Sequence, residues 1–123
     1  MKRKQFYAAA IVALALVVGM TSAETVERKG RYIWNVGDRG KLNVIFESTA
    51  DPNLWDVSIK FKFQGQRYTY AGQAKGNPNE GALAATVTSE KGIDYRFEGT
   101  TEAGLFNGTH YQGKRETGSL SFR

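Results

Sequence analysis

The chain has 123 residues, no cysteine, one histidine, 41% hydrophobic residues and a formal net charge of +5. This length suits a single domain, and the lack of cysteine excludes a disulfide framework and any thiolate metal site. Three of the bases, Lys2, Arg3 and Lys4, lie at the very start of the chain, so the remainder is close to neutral.

The N-terminal segment has the pattern of a secretory signal peptide. The basic start is followed by residues 6–20, which carry no charge and are almost wholly apolar, and then by the small residues Thr21, Ser22 and Ala23. A lasting membrane anchor needs about 20 apolar residues, and this run is shorter. We therefore predict a signal peptide over residues 1–23, cleavage after Ala23, and an exported bacterial protein, periplasmic or secreted, with no membrane span after cleavage. An uncleaved N-terminal anchor is the alternative interpretation.

Removing residues 1–23 also changes the charge balance, since 14 Lys and Arg then stand against 12 Asp and Glu. These bases are interleaved with acids, as where Arg96 stands between Asp94 and Glu98. Nucleic-acid binding generally needs a concentrated basic surface. The interleaved pattern therefore predicts a mixed-charge surface and no nucleic-acid partner.

Alternation of apolar and polar residues is the dominant pattern of the remaining chain. It is clearest over residues 54–64, where the apolar positions are Trp55, Val57, Ile59, Phe61 and Phe63. A period of two predicts a β-strand with one buried face and one solvated face.

Shorter segments with the same alternation are separated by loops rich in Gly, Asn, Asp and Pro, which favour turns. The predicted strands are residues 31–36, 41–47, 54–64, 66–74, 82–89, 93–99, 105–112 and 118–123. Residues 24–30 are predicted to form a short flexible N-terminal segment, so that residues 31–123 make one all-β domain.

The loops are too short to hold crossover helices, which predicts antiparallel neighbours in an up-and-down meander of about eight strands. Closure into a barrel is the simplest way to remove the two exposed edges, and a β-sandwich is the alternative. The pattern aromatic-x-aromatic-x-Gly occurs three times, ending at Gly65, Gly72 and Gly99. Glycines on the same face as two rings favour the bends of a small barrel.

This strand pattern resembles that of the calycins, the small meander barrels that include streptavidin and the lipocalins. The resemblance extends over residues 31–123 as an arrangement of strands only. The Gly-x-Trp signature of the lipocalins is absent, since Tyr32 and Ile33 precede Trp34. The resemblance therefore implies a barrel and no particular ligand.

The polar residues give no clear catalytic or metal-binding constellation. His110 is the only histidine, and carboxylates alone are a poor ligand set for zinc. No Gly-x-Ser-x-Gly elbow is present, and Asp56, Asp94 and Glu98 fall on predicted solvated faces. We therefore predict neither a cofactor nor a metal, and interpret His110 as structural or surface-exposed unless a ligand engages it.

Large rings on the predicted inner face are the main functional indication. A barrel of eight strands has an interior that side chains fill or that holds one small ligand. The candidate ligand-binding residues are Trp55, Tyr68, Tyr70, Tyr95, Phe97, Phe106 and His110. The first hypothesis is a non-catalytic barrel that binds a small or apolar ligand; the second is an envelope interaction or accessory protein with a filled core; an exported hydrolase is the third.

Overall fold

The computed structural model describes residues 24–123, so the predicted signal peptide lies outside the described residues. These residues form eight β-strands. The strands are β1 (Thr25–Trp34), β2 (Arg39–Ser48), β3 (Leu54–Phe63), β4 (Gln66–Gly76), β5 (Gly81–Ser89), β6 (Asp94–Glu102), β7 (Leu105–Gln112) and β8 (Arg115–Phe122). Over this range no helix is long and apolar enough to cross a membrane.

The strands form a closed antiparallel barrel. Each strand pairs with the next, and β8 pairs with β1 through Gly30–Trp34 and Gly118–Phe122. The predicted all-β meander of eight strands closing into a barrel is confirmed, and the sandwich alternative is wrong. Short loops explain the topology, because each one allows a reversal to the adjacent position only.

The inner face of β3 is the one that its alternation predicts. Trp55, Val57 and Ile59 are buried, whereas Asp56 and Lys60 are exposed. The alternation of β2 and β5 is also confirmed, with Leu42, Val44, Phe46, Leu83, Ala85 and Val87 buried.

The prediction of a flexible segment over residues 24–30 is wrong, because β1 begins at Thr25. Val26 is buried, and Thr25 to Gly30 pair in register with β2. The apolar alternation is hidden there because Arg28 and Gly30 occupy the alternate positions between Val26 and Tyr32. Arg28 remains partly solvated and donates a hydrogen bond of 2.7 Å to Asn79 Oδ1.

Two of the three motif glycines lie on the inner face, as predicted, and the third does not. A Cβ at Gly72 would overlap the backbone carbonyl oxygen of Thr86, and one at Gly99 would overlap that of Asn107. Bare α-carbons therefore let neighbouring strands coil closely at these two points. Gly65 instead forms a turn with Gln64, and both have positive φ, as a two-residue hairpin of type I′ requires.

The two ends of the barrel are packed differently. The packed end, at loops 49–53, 77–80 and 103–104, holds a cluster of fully buried phenylalanines. The rings of Phe106 and Phe122 stack with centroids 4.5 Å apart, and Pro78 from the loop 77–80 is also fully buried. The cavity end, at loops 35–38, 64–65, 90–93 and 113–114, carries rings that stay half-buried, namely Trp34, Phe61, Phe63, Tyr68 and Tyr95.

Acids and bases are mixed on the outer surface around Arg96, as predicted, but one part of the surface is basic. In the register of the sheet, Arg31 lies opposite Lys41 and Lys62 lies opposite Arg67. Lys41 precedes Leu42 and Lys62 follows Phe61; because Leu42 and Phe61 are paired in the antiparallel ladder, the two lysines are neighbours across β2 and β3. These four exposed bases, which we call the basic row, cross β1 to β4 near the cavity end. The sequence hides the row because its members come from four strands.

Candidate functional site

A cavity of about 60 Å³ lies inside the barrel toward the cavity end. Residues of all eight strands line it, and apart from Arg96 and His110 they are all aromatic or aliphatic. They include Tyr32, Trp34, Leu42, Ile59, Phe61, Tyr70, Val87, Tyr95, Phe97, His110 and Leu120. The surface that faces the cavity is therefore almost wholly apolar and is formed mainly by rings.

The structure brings together four of the seven predicted site residues. Tyr70, Tyr95, Phe97 and His110 line the cavity. Tyr68 packs near the cavity end, with its ring 5.4 Å from that of Phe61, but does not line the cavity.

Trp55 and Phe106 are inward-facing, as predicted, but neither lines the cavity. Phe106 belongs to the phenylalanine cluster of the packed end, where its centroid is 5.7 Å from that of Phe97. Trp55 is paired with Ala74, which is completely buried. Alternation assigns a residue to the inner or the outer face, whereas its position along the barrel axis depends on the strand register.

Trp34 is the central cavity residue that the sequence analysis missed. Its ring makes edge contacts with Tyr95 at 5.7 Å and with His110 at 5.1 Å between centroids. Tyr32 and Phe61 also line the cavity and pack together at 5.1 Å. Tyr32 and Trp34 are alternate residues of β1, and this spacing could have placed both on the inner face.

Three buried side-chain nitrogen or oxygen atoms within residues 24–123 have no hydrogen-bond partner: Trp34 Nε1, Trp55 Nε1 and Thr101 Oγ1. Of these residues only Trp34 lines the cavity. A buried donor without a partner costs about 1–3 kcal/mol of desolvation free energy. Trp34 therefore combines a ring that lines the cavity with a buried N–H that has no partner.

The cavity tyrosines are held in their neutral form. Burial raises the pKa of Tyr70 to about 12, and the neighbouring Tyr95 adds to the shift. Burial likewise raises the pKa of Tyr95 and that of Tyr32. A neutral phenol retains its O–H, and that of Tyr32 already donates a hydrogen bond of 2.7 Å to the carbonyl oxygen of Lys62.

His110 is positioned by a β-bulge between β7 and β8. The register shifts after His110, so Thr117 and Gly118 are both buried. Thr117 Oγ1 lies 2.6 Å from Nδ1, and Nε2 lies 3.0 Å from the carbonyl oxygen of Ile33. Because a carbonyl oxygen only accepts, Nε2 carries the hydrogen and donates it. Both ring nitrogens of His110 are thus engaged within the protein.

We expect the His110 imidazole to titrate below its ordinary pKa of 6.5, because burial lowers the pKa despite the opposing effect of the Ile33 carbonyl. Its neutral form stabilises the fold above pH 6.5, and this contribution is lost as the pH falls through the lowered pKa. NMR titration can follow the ring directly, since the chain has one histidine. A midpoint at or above pH 6.5 would contradict the buried, doubly bonded geometry.

Within residues 24–123, no group of three or more His, Asp or Glu side chains could hold a metal ion. Arg96 and Glu98 form an ion pair on the outside of β6, and the Arg96 guanidinium lies 4.1 Å from the centroid of the Tyr111 ring. Arg96 also borders the cavity, but the surface that the cavity exposes is almost wholly apolar, so apolar contact is the main interaction it can offer a ligand.

Comparison with known proteins identifies a fold and no family. No family model and no curated protein matches the chain. Among solved structures, the chain is similar to a de novo designed fluorescence-activating β-barrel, with 17% identity and a TM-score of 0.55. The match covers 79% of this chain and 89% of the designed one. At this identity, the likeness shows the eight-stranded barrel fold alone.

Proposed function

We propose that the protein is a non-catalytic binding protein whose cavity takes a small, mainly apolar molecule with one hydrogen-bond acceptor. Two observations together carry the proposal: the Trp34 ring lines an apolar cavity, and its buried Nε1 has no hydrogen-bond partner. An acceptor on the ligand would satisfy this donor, and the surrounding rings would contact the remainder of the molecule.

The size of the cavity limits the ligand. Pockets for drug-sized molecules usually measure about 300–1,000 Å³, whereas this cavity measures about 60 Å³. A molecule as small as a five-membered ring therefore suits the cavity better than a long chain or a fused ring system. Larger molecules would have to displace the half-buried rings of Phe63 and Tyr68 at the cavity end.

Cyclopentanone and cyclopentane form a matched pair of probes, because only the ketone carries an acceptor. We expect cyclopentanone to bind more tightly and to shift the indole N–H resonance of Trp34 in NMR titrations. The indole of Trp55 is an internal control, since its Nε1 is equally unpaired but does not line the cavity. Equal shifts of both indoles, or of neither, would contradict the proposal.

Two variants distinguish the contribution of the cavity space from that of the Trp34 N–H donor. Trp34→Phe keeps an aromatic ring and removes the N–H, so the preference for cyclopentanone should disappear while cyclopentane still binds. Val87→Phe adds bulk at the cavity wall and should abolish the binding of both probes. Trp55→Phe, at the other indole, should leave both affinities unchanged. Native mass spectrometry of protein from its host then tests for a natural occupant.

An accessory protein with a filled core is the second candidate, and the packed end favours it. There the rings of Phe46, Phe97, Phe106 and Phe122 leave the interior filled. In that case neither probe binds, and Val87→Phe lowers the free energy of unfolding by about 1–3 kcal/mol, because a filled interior has no room for the larger ring.

We also propose that the protein is exported after cleavage behind Ala23. The position of β1 supports this, since the strand begins at Thr25 and cleavage would leave all eight strands intact. The backbone nitrogen of Glu24 donates to Ser48 Oγ at 2.7 Å, a bond that a free amino terminus can also make. N-terminal sequencing of the protein from its host should begin at Glu24; a chain that begins at Met1 would overturn the proposal.

Membership of the calycin type is a further part of this proposal. It is supported by the order of eight consecutive antiparallel strands around one barrel, and the ligand experiments do not depend on it.

A further inference from the structure

We propose that the basic row and the adjoining rim of the cavity end form a docking surface for an anionic lipid bilayer. This surface lies on the outside of the barrel, so it is separate from the cavity and from the ligand proposed for it.

The cavity-end half of β1 to β4, with the loops 35–38 and 64–65, carries six exposed bases and a single acid, Asp38. Two bases, Arg39 and Lys60, accompany the basic row of Arg31, Lys41, Lys62 and Arg67. Within residues 24–123 none of the six takes part in an ion pair, since the one ion pair found there joins Arg96 and Glu98. The positive charge of this surface is therefore not neutralised by the protein itself.

The opposite side of the same end is balanced. Around the loops 90–93 and 113–114, the bases Lys91, Arg96, Lys114 and Arg115 are matched by Glu90, Asp94, Glu98 and Glu116. At the packed end, Glu47 and Asp56 lie directly opposite each other. A positive electrostatic field thus projects from one region of the barrel. Such a field would orient the protein as it approaches an anionic surface.

The basic row has a cost for stability. Like charges directly opposite each other across two strands are destabilising, and the row contains two such pairs, Arg31 with Lys41 and Lys62 with Arg67. Adjacent strands are about 4.8 Å apart, so four charges occupy roughly 15 Å. Anionic headgroups packed side by side would relieve this repulsion at several points together.

Exposed aliphatic side chains favour a bilayer over another polyanion. Ile33 is 46% exposed and lies opposite Arg39, and Val36 in the loop 35–38 is 83% exposed. Exposed aliphatic side chains beside basic ones match the surface of an anionic bilayer, which has negative charge at the headgroups and hydrocarbon beneath them. A nucleic-acid backbone offers no such layer.

Flotation of the chain from Glu24 onward with vesicles tests the proposal. We expect binding to phosphatidylcholine vesicles that contain phosphatidylglycerol, weakening as salt is added, and no binding to phosphatidylcholine alone. The double variant Lys62→Gln/Arg67→Gln should lower the partition coefficient about thirtyfold, since each base near an anionic surface contributes about a fivefold effect. This variant removes a repulsive pair, so it should fold at least as well as the parent protein.

The matched control is Lys29→Gln/Lys75→Gln, which removes two exposed bases from outside this surface and should change the partition coefficient less than twofold. Val36→Ser should also weaken vesicle binding. Equal binding to both vesicle types, or an equal loss in the control, would overturn the proposal. Unchanged binding of Val36→Ser, or displacement from vesicles by an oligonucleotide, would overturn it in favour of a soluble polyanion.

Discussion

Replacing Phe106 with alanine should lower the free energy of unfolding by about 3–5 kcal/mol, the range for removing a fully buried phenylalanine ring. Phe106 is 1% exposed and stacks on Phe122 in the cluster that closes the packed end. Because rings occupy both sides of it, the space left by the substitution cannot be refilled without moving the cluster. Urea unfolding followed by circular dichroism measures the loss.

Phe63→Ala is the matched control at the other end. The Phe63 ring is half-buried, and its centroid is 6.3 Å from that of Trp34. Its removal should cost about 1–2 kcal/mol, because much of the ring already contacts solvent. Equal losses at the two positions would contradict the division of the barrel into a packed end and a cavity end.

Gly72→Val should destabilise the barrel by about 3 kcal/mol or more, since there is no space for a side chain at this point. A Cβ there would overlap the backbone oxygen of Thr86 on β5, and the β4–β5 ladder would have to separate to admit it. The same urea experiment measures the effect, and near-ultraviolet circular dichroism reports whether the rings keep their packing.

Ala71→Val provides the comparison on the adjacent residue. Ala71 is exposed on the outer face of β4, where a β-branched side chain suits a strand, so the free energy of unfolding should change by less than about 0.5 kcal/mol. A similar loss at both positions would mean that valine itself, and not the close approach of β5, disturbs β4.

Much of the fold could be predicted because alternation is a local property. Five alternate apolar residues made β3 recognisable, and short glycine-rich loops indicated the antiparallel order. The N-terminal half of the first strand was missed because Arg28 and Gly30 occupy two of its inward positions, where the coiled barrel has a solvated base and a glycine instead of apolar side chains. A Cβ at Gly30 would overlap the backbone oxygen of Ser121 on β8, a strand that is remote in sequence.

The candidate site was predicted less completely because its composition depends on register. Alternation placed Trp55 and Tyr95 correctly on the inner face, but it contains no information about which end of the barrel each one reaches. Trp34 was overlooked for the same reason, although it supplies the unpaired donor. The basic row depends on register in the same way, since Lys62 and Arg67 become neighbours only when β3 and β4 pair.

The seam between β1 and β8 has a consequence for how the chain acquires its fold. It is the shortest ladder of the barrel, and it joins residues about ninety positions apart, such as Gly30 and Phe122. Closing so large a loop costs chain entropy that no local contact repays beforehand, so we expect this seam to form late and to limit the folding rate. The barrel therefore stays open until β8 has been synthesised. Such a delay suits the proposed export, because a chain that has not yet closed can still be threaded through a membrane.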